Sequence, residues 1–196
     1  MKKLSKLLTA LLIACLMLAG CGTDEKKTDK DGTAGEAPAQ DVLIYAVNGD
    51  PQSFNPDMKS DDYAYQINQN IYNRLVKLNA NDQILPDLAK SWEFSEDGLT
   101  LTFHLQEGVK WHDGEPFTSA DVKWTYDTAI AEKWAKADNL SNIESIECPD
   151  DNTVVMNLKT PDVSIIAKLA WYGTFIMPKH LYEGTDTATN PYNQNP

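Results

Sequence analysis

Leu99, Leu101, Phe103 and Leu105 alternate with Thr100, Thr102, His104 and Gln106, directly after the turn-forming stretch Ser95-Glu96-Asp97-Gly98. An apolar/polar period of two marks a half-buried strand, and Trp92 and Phe94 carry the same period on the other side of the turn. The stretch predicts a β-hairpin with one face on a core. A chain holding such a hairpin is not all-helical, and other elements must cover its apolar face.

Covering elements can be read on both sides. From Tyr63 onward, Ile67, Ile71 and Leu75 recur every four residues and Tyr72 and Val76 widen the stripe, which predicts an amphipathic helix of about three turns ending near Asn79-Ala80-Asn81-Asp82. After the turn His112-Asp113-Gly114, the stretch Thr118-Ser119-Ala120-Asp121 has capping-box spacing ahead of Val122, Tyr126 and Ile130, so a second helix starts there. Asp150-Asp151-Asn152 turns into a strand over 153–158, Pro161 can open a helix carrying Ile165, Ile166 and Leu169, and Ile176-Met177-Pro178 closes that unit. Upstream, the apolar run at 42–47 before Asn48-Gly49-Asp50-Pro51 predicts a buried strand. Strands and helices in this order, without an internal repeat, give an α/β or α+β class.

The first 40 residues belong to no such core. Lys2, Lys3 and Lys6 precede an apolar run at 7–19, too short for a finished membrane span, which reads as a signal-peptide core. It closes on Leu18-Ala19-Gly20-Cys21, which resembles the lipobox of bacterial lipoproteins, so residues 1–20 are expected to be removed and Cys21 lipidated. Residues 22–40 hold no aromatic or large aliphatic side chain and are expected to form a flexible tether reaching about 25 Å by random-coil scaling. Two acyl chains on Cys21 would be needed for stable anchoring.

Charge and chemistry narrow the function. Loss of the three lysines with residues 1–20 takes the formal charge from −12 to −15, which argues against nucleic acid. Of the three cysteines only Cys148 then remains free, and it reads as a buried or inert thiol. His104, His112 and His180 are too scattered for a local metal site, and no glycine-rich phosphate loop, Gly-x-Ser-x-Gly, His-Glu-x-x-His or Cys-x-x-Cys occurs. Neither an enzyme nor a cofactor is expected. The pair Asp150-Asp151 reads as turn chemistry, while Asp61-Asp62 could also meet a cation.

The stretches PDLAKSW (86–92), SEDGLTLTFHL (95–105), GVKWHDG (108–114) and PFTSADV (116–122), with NGDP (48–51), Asn55-Pro56, IYNRLV (71–76) and MPKHLY (177–182), resemble the family 5 extracellular solute-binding proteins of ABC importers. One departure is Gln106, where Lys or Arg is usual. The resemblance implies an α/β, two-lobed type II-like periplasmic binding fold, of which this chain would be the N-terminal portion: lobe Ia starting at 41–59, subdomain Ib at 60–182 and an incomplete return to lobe Ia at 183–196. Lobe II and the hinge crossings would lie beyond residue 196, and apolar surface of lobe I would be left uncovered.

By the same resemblance the protein would capture oligopeptides or dipeptides outside the membrane, as a lipid-anchored monomer, and deliver them to ABC permease subunits. A nickel or metal-chelate carrier, or a non-transporting surface module, are the other readings. The family's ligand-facing loop in lobe I maps onto Ser60, Asp61 and Asp62, with Met58, Lys59 and Tyr63 beside them, and a bound peptide can pair there with the protein backbone. Trp134 and Trp171 are further candidates for lining the cleft.

Overall fold

The computed structural model describes residues 44, 46, 48–59, 61–135, 137–171 and 174–196. The signal segment, Cys21, the tether and Ser60 lie outside the described residues, as does most of the apolar run at 42–47. The described members of that run, Ile44 and Ala46, are exposed and in no strand, contrary to the buried strand expected there.

At the centre is a four-stranded sheet in the order β3-β4-β6-β5, every pairing antiparallel, built from β3 (Ala89–Phe94), β4 (Thr100–Leu105), β5 (Ile143–Asp150) and β6 (Thr153–Leu158). The β3–β4 hairpin is the one the alternation predicts. Its turn is closed by Ser95 and Asp97: the Asp97 Oδ1 accepts from the Ser95 hydroxyl at 2.6 Å and from the Leu99 N–H at 3.0 Å, and Gly98 takes a φ of 69° that a side chain would resist. Leu101, Phe103 and Leu105 are wholly buried, and across the ladder Leu101 faces Met156 and Phe103 faces Val154, also wholly buried. Two strands of period two therefore present one continuous apolar face.

Helix α2 (Ser119–Glu132) covers it through Val122, Tyr126 and Ala129. The expected capping box is present, with Asp121 Oδ2 accepting from the Thr118 N–H at 2.9 Å. The helix is tied to the turn between β5 and β6, since the Ser119 hydroxyl donates to the Asp150 carbonyl at 2.6 Å and the Ser119 N–H to the Asp151 carbonyl at 2.8 Å. Ile130, expected on the buried stripe, is 38% exposed because it lies in the last turn, where the helix runs past the sheet before Lys133 ends it at a φ of 56°.

Three other expectations change. Helix α1 (Asp62–Asn68) has seven residues and not three turns. The Asn68 carbonyl takes the N–H groups of Ile71 and Tyr72, and beyond it the chain turns to pair elsewhere: the Arg74 carbonyl accepts from the Leu88 N–H, the Leu75 carbonyl from the Ala89 N–H, each at 2.9 Å. Leu75 and Val76 are both buried, Val76 opening β1 (Val76–Leu78), which pairs with β2 (Ile84–Pro86) across the turn expected at 79–82. Strand β5 has no counterpart in the sequence reading. Two register shifts break its alternation, so only Ile143 and Ile146 point into the core and no period of two survives. Finally, α3 (Ile165–Ala170) begins after Ser164, leaving Pro161 outside it, though Ile165, Ile166 and Leu169 are buried as expected.

The segment 174–178 is buried and belongs to no helix or strand. It is threaded beneath α2, where the Thr125 hydroxyl oxygen accepts from the Met177 N–H at 3.0 Å and the Asn73 carbonyl from the Ile176 N–H at 2.9 Å. Helix α4 (Lys179–Tyr182) follows, and a tail is folded by its asparagines: Asn190 Nδ2 donates to the Leu181 carbonyl and Asn193 Nδ2 to the Thr187 carbonyl. Both side chains are 4% exposed, as buried amides with partners can be.

Candidate functional site

The segment 48–63 carries the residues that the sequence singles out for ligand contact. Its shape follows from short polar side chains acting on their own backbone. Asn55 Oδ1 accepts from the N–H groups of Asp57 at 3.3 Å and Met58 at 3.2 Å, folding the chain after Phe54. The Phe54 N–H donates to the Asn193 carbonyl at 2.7 Å and Gln194 Nε2 to the Gln52 carbonyl at 3.2 Å, which fastens 52–54 to the tail. The Met58 carbonyl accepts from the Ala135 N–H at 3.3 Å.

Asp61 occupies the N-cap of α1. Its Oδ1 accepts from the Tyr63 and Ala64 N–H groups at 3.0 and 3.2 Å, and its Oδ2 from the Gln52 N–H at 2.8 Å. The Gln52 N–H, with those of Ala64 and Tyr63, holds the carboxyl below the usual carboxylate range. Asp62 and Lys59 are exposed and Met58 is half-buried. Tyr63 is 38% exposed and its ring lies against Gly49: a Cβ at residue 49 would stand 2.7 Å from Tyr63 Cε2. That contact explains a glycine in the turn 48–51 without any appeal to left-handed backbone.

Beneath this surface lies a polar residue the sequence reading passed over. Asp57 is 4% exposed and its Oδ1 accepts from the Phe175 N–H at 3.3 Å. Burial pushes its carboxyl up to about 8, against the opposing pull of the Phe175 N–H and the Arg74 charge. The Arg74 guanidinium sits 4.1 Å from the Phe175 ring centroid and donates to the Tyr65 hydroxyl at 3.1 Å. An Asp shortly after Asn55-Pro56 reads as turn chemistry, and nothing local signals that residues more than a hundred positions later close over it.

The remaining candidates are dispersed. Trp134 is 4% exposed in the core and donates its indole N–H to Glu132 Oε2 at 2.9 Å, whereas Trp171 is 59% exposed at the C-terminal end of α3, beside Leu78 and Lys168. His104 faces Glu93 on the hairpin, and His180 Nε2 lies 2.7 Å from Asp113 Oδ2, joining α4 to the turn at 112–114. Among the described residues no three His, Cys, Asp or Glu side chains are grouped to hold a metal, and no helix is long and apolar enough to cross a membrane. Cys148 is half-buried, with its thiol 3.3 Å from the Ser119 carbonyl. A separate cleft of about 340 Å³ opens between Tyr72, Trp111, Tyr182 and Tyr192; His112 lines it, but neither the residues at 58–63 nor Trp134 nor Trp171 does.

This mixed α/β arrangement is that of bacterial solute-binding proteins. The structure of NikZ from Campylobacter jejuni in complex with Ni(L-His) matches with a TM-score of 0.69 and 30% identity, over 76% of this chain and 30% of that one. The oligopeptide-binding protein AppA from Bacillus subtilis in complex with a nonapeptide matches with a TM-score of 0.68 and 28% identity, over 75% and 30%. The dipeptide-binding protein of Escherichia coli K12 is 31% identical over 171 residues, 76% of this chain and 32% of that protein. The model of the bacterial extracellular solute-binding proteins, family 5 Middle, matches residues 83–196, and the chain belongs to that family. It spans about a third of the length of these relatives.

Proposed function

We propose that this chain belongs to a peptide-capturing lipoprotein of an ABC importer, which binds short peptides outside the membrane and passes them to the permease subunits without altering them. The observation that carries the reading is the family match over residues 83–196, together with the likeness to a dipeptide-binding protein and to a protein solved around a nonapeptide. Residues 58–63 form the part of the ligand-facing surface this chain contributes, with Asp62 and Tyr63 exposed and Ser60 two residues ahead of Asp62 in sequence. Cys21 carries the lipid, and the tether at 22–40 holds the folded body off the membrane.

Titration calorimetry of the protein expressed from its complete reading frame, against di- to pentapeptides, tests the binding; micromolar dissociation constants are expected, and heats indistinguishable from dilution for every peptide would overturn it. Mass spectrometry of the mature N-terminus tests the anchor, with a diacylglyceryl thioether on Cys21 expected and an unmodified N-terminus ruling it out. Likeness to a protein solved with Ni(L-His) favours a second reading, a nickel-chelate carrier. Including nickel with histidine in the same titration separates the two.

A further inference from the structure

We propose that Asp61 is a positioning residue that latches the ligand-facing segment into shape and makes no contact with the solute itself; this rests on the reading of residues 58–63 as ligand-facing. Both oxygens of its carboxylate are turned back onto the chain. Oδ1 holds two N–H groups of the first turn of α1, those of Tyr63 and Ala64, and Oδ2 crosses nine residues of sequence to the Gln52 N–H. An ionised carboxylate is the side chain at this position that offers two acceptor oxygens and no donor, which is what three converging N–H groups require.

The far side of the same loop is held separately. Gln52 and Phe54 are bound by Gln194 and Asn193, so the 52–54 strip is clamped between the tail on one side and Asp61 on the other. Helix α1 has seven residues, too few to persist on its own backbone bonds, and its entry angle is set by this cap. That angle decides where the outward side chains of Asp62 and Tyr63 stand. Asp61 therefore acts on a ligand through the backbone it arranges.

Asp61→Ala and Asp61→Asn in the protein expressed from its complete reading frame test this with two readouts. Amide hydrogen exchange is followed at Gln52, Tyr63 and Ala64, and binding is measured for trialanine with a free and with an acetylated N-terminus. In Asp61→Ala all three amides exchange about tenfold faster. Asparagine keeps one acceptor for the helix cap but turns an NH₂ toward residue 52, so in Asp61→Asn the Gln52 amide alone is accelerated. Both variants weaken the free and the acetylated peptide by the same factor. Unchanged exchange at Gln52 in both variants overturns the latch, and so does a loss confined to the free-amine peptide, which marks Asp61 as a partner of the ligand ammonium. Failure of the wild type to bind either peptide counts against the peptide reading, and the exchange pattern still decides the latch.

Discussion

The Asp57 carboxylate accepts a hydrogen bond from the Phe175 N–H at 3.3 Å, joining residues 118 positions apart in a site almost closed to water. The bond fastens the buried segment at 174–178 to the loop that carries Asp57. It also leaves an acid where its charged form is poorly solvated, and the Arg74 guanidinium nearby does not reverse the effect of burial.

That placement makes stability depend on pH. The folded carboxyl titrates near 8 against an ordinary value of 3.8, so between those values the folded chain binds the proton more tightly than the unfolded one. The stabilising effect is complete below about pH 4 and is lost as pH rises toward 8, with a slope of at most about 1.4 kcal/mol per pH unit. Asp57→Asn keeps an acceptor for the Phe175 N–H and cannot ionise. Urea unfolding of both proteins from pH 4 to 9 is expected to show the wild type losing ground to the variant across that window; a pH-independent difference would contradict the assignment.

Thr125 is wholly buried and its hydroxyl oxygen is the acceptor for the Met177 N–H. Thr125→Val preserves shape but leaves that N–H without a partner, at a cost of about 1–3 kcal/mol. Thr125→Ser keeps the hydroxyl and loses a methyl, costing about 1 kcal/mol or less. Denaturant midpoints of the two variants should therefore fall in that order.

Phe103→Ala is expected to cost about 3–5 kcal/mol, because Phe103 is wholly buried between β3, β6 and α2. Thr102→Ala, one residue away on the opposite face, should cost less than about 1 kcal/mol. Equal losses at the two positions would be incompatible with the alternation of β4.

A methyl group at residue 49 would stand 2.7 Å from the Tyr63 ring. The contacted atom is at the far end of a half-exposed side chain, so Gly49→Ala should swing the ring away and cost about 1 kcal/mol or less, the low end of an overpacking penalty. Loss of ring-to-backbone nuclear Overhauser contacts between Tyr63 and residue 49, with the melting temperature nearly unchanged, is the expected signature. Gly49→Ala combined with Tyr63→Ala should show no further loss beyond that of Tyr63→Ala.

Which features were legible follows from how far their causes reach. The β3–β4 hairpin, the strand at 153–158 and the start of α2 were readable because a period of two, a Ser-Glu-Asp-Gly turn and a Thr-x-x-Asp cap act within a few residues. The family's stretches, spread from 48 to 182, were readable for the same reason, as runs of neighbours. Helix α1 was read too long because Ile67, Ile71 and Leu75 keep a helical spacing although Leu75 and Val76 pair with a strip ten or more residues ahead. Strand β5 escaped because its bulges erase the alternation.

At the candidate site, Asp61 was visible as an acid ahead of a helix, but its bond to residue 52 was not, since Gln52 is brought to it only by the fold. Asp57 was not visible at all. The amino-acid order by itself determined the hairpin, the strand at 153–158, the start of α2 and the family, all of which rest on patterns among near neighbours. The tertiary structure alone decided which acid is a cap, which is buried, and what holds the loop, because those outcomes depend on the backbone N–H groups of residues 52 and 175 and the carbonyl of residue 193, and no local pattern encodes where a distant backbone group will point.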